Sequence, residues 1–252
     1  MSKIAFITGA SSGIGAACAR KFAEGDYTLL LNARSVDKLQ ALKTELETTY
    51  GIDVLLLPFD VRDRKAAAEA ITTLPEPYQA IDVLVNNAGL ALGMDKEYAG
   101  VEADYDTMID TNITALLMIT RLVVPGMIAR GRGHIINIGS VAGDAAYPGG
   151  SVYCATKAAV KVLSDGLRMD LVDTPLRVTN VKPGLVETNF SVTRFGGDKE
   201  RADNVYKGIK PLTGDDIADV VYYAASAPEH VQIAEVLVLA THQASGLLVH
   251  RS

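Results

Sequence analysis

A tyrosine and a lysine four residues apart, Tyr153 and Lys157, form the pair in this chain best suited to moving a proton. Four residues is just over one helical turn, so on a helix the phenol and the ammonium share a face. A free phenol ionises near pH 10, and bringing that down to about 7–8 takes roughly 3–4 kcal/mol of differential stabilisation. A lysine charge about 4 Å away, at an effective dielectric near 20, contributes on the order of 4 kcal/mol, enough for a general acid and base near neutral pH. Upstream, Ser140 offers a hydroxyl that could hold an oxygen beside Tyr153. Taken singly, the three read as a helix-start aromatic, an exposed helix charge and a turn residue. Cys154 adjoins the tyrosine, but the next helical position points about 100° away and makes it a packing residue. His134 has no carboxylate in local register and is assigned no chemistry.

A second constellation binds phosphate. Thr8-Gly9-Ala10-Ser11-Ser12-Gly13-Ile14-Gly15 follows the first apolar run and opens the first helix. Glycines there let backbone N–H groups approach a pyrophosphate at a helix N-terminus, with Gly9, Ser11, Ser12, Gly13, Ile14 and Gly15 as the contact set. At the end of the second strand, where a carboxylate would accept a bond from a free ribose 2′-hydroxyl, the chain has Asn32-Ala33-Arg34-Ser35. A guanidinium there favours NADP over NAD, the alternative being a solvated loop cation. Ser12 adds no second positive charge. Asp60-Val61 is placed either to contact adenine or, for Asp60, to cap the following helix.

These groups need a scaffold. Ile4-Ile7, Thr28-Leu31, Val54-Leu57, Val83-Val85, Ile135-Ile138, Arg177-Val181 and Val236-Leu239 are short apolar runs that suit strands covered on both faces. Between them, Gly15-Glu24, Val36-Tyr50, Arg64-Leu74, Tyr105-Arg130, Tyr153-Leu171 and Gly214-Ala225 read as helices. The alternation predicts an α/β fold, a Rossmann-type doubly wound sheet of about seven parallel strands with helices on both faces. Thr213 and Asp216 form an acidic variant of a capping box for the last helix. One domain over 1–252 is expected, with an irregular, lid-like segment at about 187–210 and a tail at 240–252.

Composition narrows the partners. With 48% hydrophobic and 21% charged residues, 252 residues can bury one large core. A net charge of −6 opposes broad attraction to nucleic acid or anionic lipid. No apolar run of about 18 residues is evident and the start reads as a strand, so the expected location is cytoplasmic, without a membrane. Two cysteines and four scattered histidines suggest neither a disulfide framework nor a metal site.

Thr8-Gly9-x-x-x-Gly13-x-Gly15, Asn86-Asn87-Ala88-Gly89, Asn112, Ser140, Tyr153-x-x-x-Lys157 and Pro183-Gly184 occur in the order and approximate intervals of the short-chain dehydrogenase/reductase family, which the chain resembles over essentially its whole length. The resemblance implies that Tyr153 donates the proton to a carbonyl, that Lys157 lowers its pKa and binds the nicotinamide ribose, and that Ser140 positions the carbonyl. It implies that Asn112 holds a water linking Lys157 to solvent and that Asn87, Ala88 and Gly89 lie beside the adenine ribose. Pro183, Gly184, Val186 and Thr188 would face the nicotinamide.

The stretches Asn86–Met94, Gly133–Ser140 and Gly246–Arg251 are most similar to the NADP-dependent 3-hydroxy acid (serine-type) dehydrogenase and sulfoacetaldehyde reductase subgroup. That likeness implies a small anionic substrate. Arg194 is the expected cation for its head, against the reading of an exposed loop arginine, and Tyr147 a further hydrogen-bond donor. The family's usual tetramer (or a dimer) implies contacts through the helices Tyr105-Arg130 and Tyr153-Leu171, with Gln243 and His250 reaching a neighbouring subunit. A broad carbonyl reductase for neutral ketones and a non-catalytic NADP-binding regulator are the alternatives.

Overall fold

The uninterrupted apolar runs pack on two sides at once. In β1 (Ile4–Thr8), Ala5 and Ile7 face one helix layer while Ile4 and Phe6 face the other. The period of two along a strand produces this division, and each large side chain so buried contributes about 1.5–3 kcal/mol. The computed structural model describes residues 2–252. Beside β1 lie β2 (Thr28–Asn32), β3 (Val54–Leu57), β4 (Ile81–Asn86), β5 (His134–Ile138), β6 (Arg177–Pro183) and β7 (Glu235–Val238), all parallel, in the order β3-β2-β1-β4-β5-β6-β7.

The helices in chain order are α1 (Gly13–Glu24), α2 (Val36–Tyr50), α3 (Arg64–Thr72), α4 (Glu102–Ile109), α5 (Ala115–Arg130), α6 (Ser151–Asp170), α7 (Asn189–Arg194), α8 (Lys199–Asn204) and α9 (Gly214–Ser226). One core joins α1, α2 and α9 to the sheet, and a second joins α3 and α5 to its other face. The chain leaves β1 toward β2 on one side and β4 neighbours β1 on the other, which opens a crevice at their C-terminal ends. The predicted capping box forms: Thr213 Oγ1 accepts from the Asp216 N–H at 3.3 Å and Asp216 Oδ2 from the Thr213 N–H at 2.7 Å.

Three expectations need correction. The stretch predicted as one helix, Tyr105-Arg130, starts at Glu102 and is interrupted by a π-helical turn at Asp110–Thr114. By length and composition alone this 29-residue stretch could cross a membrane, with a mean hydropathy of 1.6 over an 18-residue window. One face of it instead packs on the sheet, with Ile119, Val123 and Met127 buried, while Ile109, Leu117 and Ile128 are exposed. The segment 187–210 is not irregular throughout, because α7 and α8 form within it, capped by Thr188 and Asp198.

Candidate active site

A cavity of about 950 Å³ runs along the C-terminal ends of β1, β4, β5 and β6. The phosphate turn forms one wall. Gly9 and Gly13 take φ of +67° and +54°, the left-handed region that favours glycine. A Cβ on Gly15 would run into the Gly9 carbonyl, so this glycine lets α1 start directly behind the turn. Ser12, the N-cap of α1, makes no side-chain cap bond and lines the cavity with Ser11 and Ile14.

Asn87 holds this turn from β4. Its Nδ2 donates to the carbonyls of Thr8 (2.9 Å) and Gly9 (3.1 Å), while Thr8 Oγ1 accepts from the Asn87 and Ala88 amides at 3.1 and 3.0 Å. The cradle therefore fits a pyrophosphate: it is narrow, rimmed by N–H groups and braced before any ligand arrives.

Toward the adenosine end, Arg34 is exposed and its Nη1 lies 3.9 Å from Asp60 Oδ2. Asp60 is bound more firmly by Arg62, whose Nη2 donates to Oδ2 at 2.7 Å and Nε to Oδ1 at 3.1 Å. The Arg62 hydrogen bonds hold the Asp60 carboxyl below the ordinary carboxylate range. The cap of α3 is Asp63, which accepts from Lys65 and Ala66, so the capping alternative for Asp60 is incorrect. Val61 lines the cavity beside Asp60. Lys38 and Arg62 also line this end. Neither stands out in the sequence, although Lys38 lies four residues after Arg34 and Arg62 two residues after Asp60. Two arginines at one carboxylate, with Lys38 on the same stretch of cavity wall, fit a phosphate-bearing ribose better than a bare diol.

At the other end, Ser140, Tyr153 and Lys157 are all buried at the cavity wall. Ser140 N-caps a short turn, its Oγ accepting from the Ala142 amide at 3.1 Å, and its hydroxyl stands beside the Tyr153 phenol. Burial drives the Tyr153 pKa above its usual range, opposed first by the Ser140 hydroxyl and then by the charge of Arg194. Burial also lowers the Lys157 ammonium to about 8. Lys157 Nζ donates to the Ile138 carbonyl at 2.8 Å. The expected lowering of the phenol by Lys157 is thus absent from this arrangement. Desolvation dominates and keeps the phenol protonated, the form able to give a proton to a carbonyl oxygen.

Asn112 stands behind the cavity wall rather than in it. Its Nδ2 donates to the Leu90 carbonyl (2.8 Å) and Thr156 Oγ1 (3.0 Å), and its Oδ1 accepts from the Leu90 amide (2.9 Å). The side-chain amide ties the loop after β4 to α6. The π turn is what places it there, a common use of such turns. Gly89 leaves space where Asn112 and Lys157 converge, since a Cβ on it would lie 3.2 Å from Asn112 Oδ1 and 3.4 Å from Lys157 Nζ.

Arg194 is not a free loop cation. It ends α7 and spans the cavity mouth, donating from Nε to the Gly93 carbonyl at 3.1 Å and from Nη1 to the Tyr147 hydroxyl at 2.8 Å. Its guanidinium lies 5.3 Å from the Tyr147 ring centroid and 5.8 Å from that of Tyr153. Nη2 makes no hydrogen bond among the described residues. Phe190 packs on Tyr153 with ring centroids 5.6 Å apart.

Pro183, Gly184, Val186 and Thr188 line the same wall. Thr188 Oγ1 accepts from the Phe190 amide at 3.2 Å. Gln243, expected to reach a neighbouring subunit, accepts from the Leu185 amide of its own chain at 2.8 Å. His250 packs against His242, with ring centroids 5.8 Å apart. His134 sits inside β5, bonded to Thr179 Oγ1 at 2.8 Å, and burial lowers its pKa to about 3. Cys154 is buried.

A seven-stranded parallel sheet, a glycine cradle at the β1–β4 crevice and a buried Ser–Tyr–Lys set together define a class of protein, and the chain belongs to the short-chain dehydrogenase family, whose model matches residues 3–198. Among individual proteins, it is 46% identical over 250 residues to an NADP-dependent 3-hydroxy acid dehydrogenase of Schizosaccharomyces pombe, covering 99% of this chain and 96% of that one. A sulfoacetaldehyde reductase of Chromohalobacter salexigens is 42% identical over 245 residues, 97% of this chain and 96% of the other. The closed form of a serine dehydrogenase complexed with NADP+ superposes with a TM-score of 0.92 at 43% identity, covering 99% of this chain and 100% of that one.

Proposed function

We propose that this chain is an NADP-dependent oxidoreductase that interconverts a small anionic hydroxy compound, of the 3-hydroxy acid or serine type, with its aldehyde or ketone. The observation that carries the substrate class is Arg194, fixed by Gly93 and Tyr147 above the Tyr153 ring with one guanidinium nitrogen unpaired. A carboxylate or sulfonate accepts from that edge while its carbonyl lies near Ser140 and Tyr153. The named relatives include 3-hydroxy acid and sulfoacetaldehyde enzymes, which favours an anionic head without separating the two acids.

Gly9, Gly13 and Gly15 with the Ser11, Ser12 and Ile14 wall would hold the pyrophosphate, and Arg34, with Lys38 and Arg62, the 2′-phosphate. Asp60 and Val61 would lie at adenine, Asn87, Ala88 and Gly89 at the ribose, and Pro183, Gly184, Val186 and Thr188 at the nicotinamide. When bound there, NADP would supply the hydride chemistry at the carbonyl carbon. Ser140 donates a hydrogen bond to the carbonyl oxygen, and Tyr153 delivers its phenolic proton to that oxygen, leaving a phenolate. Lys157 carries the positive charge that offsets the phenolate and hands on a proton. Asn112 holds the loop after β4 and, through Thr156, the helix that bears both residues.

Residues 187–210 act as a lid whose first helix brings Arg194 into the site. Exposed apolar residues on two faces support a homotetramer: Ile109, Leu117, Val162 and Met169 on α4, α5 and α6, and Leu237, Leu247 and Leu248 near β7 and the tail. Light scattering checks this, and a monomer contradicts it. Steady-state kinetics of Arg194→Ala test the substrate class. Losing a charge-assisted bond of about 1.5–3 kcal/mol should cut kcat/KM for anionic aldehydes about 10- to 150-fold and leave a neutral diketone within about 3-fold. Equal losses for both would remove the anionic assignment.

A further inference from the structure

Behind Ser140, a buried lysine anchors a charge network that the reaction as described does not use. Lys182, on β6 one residue before Pro183, is only 4% exposed. Its Nζ donates to Asp144 Oδ1 and to Glu235 Oε1, each at 2.8 Å. A buried ammonium is costly without partners, so these carboxylates are held in place by it. Asp144 closes the turn that begins at Ser140: its amide donates to the Val141 carbonyl at 3.1 Å, and the Gly143 amide to the Ser140 carbonyl at 3.0 Å.

The same carboxylate reaches α6. Lys161 Nζ lies 3.7 Å from Asp144 Oδ1, one helical turn beyond Lys157. The turn also abuts that helix directly, since a Cβ on Gly143 would lie 2.7 Å from the Lys157 carbonyl oxygen. From below, the Lys182 stem supports the residue before Ser140, because a Cβ on Gly139 would lie 3.2 Å from Lys182 Cγ. Asp144 therefore joins three parts: the turn that aims Ser140, the helix that carries Tyr153, and the strand that leads into Pro183-Gly184.

We infer that Asp144 and Lys182 are positioning residues for Ser140, setting where its hydroxyl stands relative to the Tyr153 phenol. The inference rests on the proposed role of Ser140 as the group that holds the substrate carbonyl. Neither residue lies in the reacting set; they act by fixing the turn at both ends.

A double-mutant cycle tests this. Asp144 has a side-chain exposure of 34%, so Asp144→Asn can be made even where Lys182→Gln fails to fold. With an anionic aldehyde and saturating NADPH, Asp144→Asn lowers kcat about 10-fold, because a misplacement of about 1 Å is costly to an oriented reaction. NADPH affinity, read by fluorescence titration, stays within about 2-fold, as does KM. In a Ser140→Ala background, the same Asp144→Asn change lowers kcat less than about 2-fold, since there is no hydroxyl left to aim. An equal factor in both backgrounds overturns the inference, as does an Asp144→Asn enzyme with unchanged kcat. If Ser140→Ala alone retains full kcat, the role of Ser140 fails and this inference with it. A crippled Ser140→Ala beside a normal Asp144→Asn removes the inference alone.

Discussion

The pyrophosphate cradle of the cavity is shaped mainly by backbone, and the substrate end by side chains from separate parts of the chain. At the first, Gly9, Gly13 and Gly15 create a cradle within seven consecutive residues, braced by Asn87. At the second, Gly93, Tyr147, Tyr153 and Arg194 meet from a loop, a turn and two helices. Local backbone geometry is over-determined and tolerates little change. A clamp of long side chains can be re-aimed by one substitution, which suits a family that shares a cofactor site and varies its substrate.

The largest expected effect separates chemistry from both binding ends. Tyr153→Phe keeps the ring against Phe190 but removes the proton, so kcat should fall at least about 10³-fold in the 10²–10⁴ range typical of general acids. NADPH affinity, by titration, should stay within about 3-fold. A Phe variant that retains a tenth of its kcat would place the proton elsewhere.

Lys157, between the two ends, gives the next effect. Its folded pKa of about 8 lies below the ordinary 10.5. Between those values the unfolded chain binds the extra proton, so stability from this group is fully present above pH 10.5 and lost as pH falls through 8. Denaturant melts of wild type and Lys157→Met should therefore shift relative to each other by about 3 kcal/mol between pH 8 and 10.5, in favour of wild type as pH rises. A difference independent of pH would mean that the lysine is not desolvated.

Arg34→Ala should raise the NADPH dissociation constant about 10- to 100-fold and leave NADH within about 2-fold, on about 1.5–3 kcal/mol for a charged hydrogen-bond partner. Titration of both cofactors checks it. A parallel loss for NADH would mean that Arg34 serves the adenine ring or the fold instead. The smallest effect belongs to Arg62. Its bond to Asp60 leaves fewer donors free, so Arg62→Ala should weaken NADPH only about 3- to 10-fold.

The same contrast explains what could be read from the residues. The strands are legible because each is a short apolar run between turn signals, and all seven lie within two residues of their expected limits. The glycine turn and Tyr153-x-x-x-Lys157 are local patterns. The π turn at Asn112 was not legible, since one wide turn barely changes the apolar periodicity of a long helix. Six-residue helices such as α7 and α8 are too short to show a period, so they read as loop. The place of Gln243 is not legible because a tail's destination depends on packing, and here it folds back onto Leu185. The raised Tyr153 pKa reflects burial, which spacing along a helix cannot register.

The central claim is that one cavity pairs a phosphate-reading end with an anion-reading end. Initial rates of NADPH and NADH oxidation against malonic semialdehyde, sulfoacetaldehyde, methylglyoxal and a neutral diketone test it most directly. The account predicts NADPH well ahead of NADH and at least one of the two anionic aldehydes at least about 10-fold above both neutral carbonyls in kcat/KM. Neutral carbonyls equal to or ahead of both anionic aldehydes, or NADH matching NADPH, would contradict it.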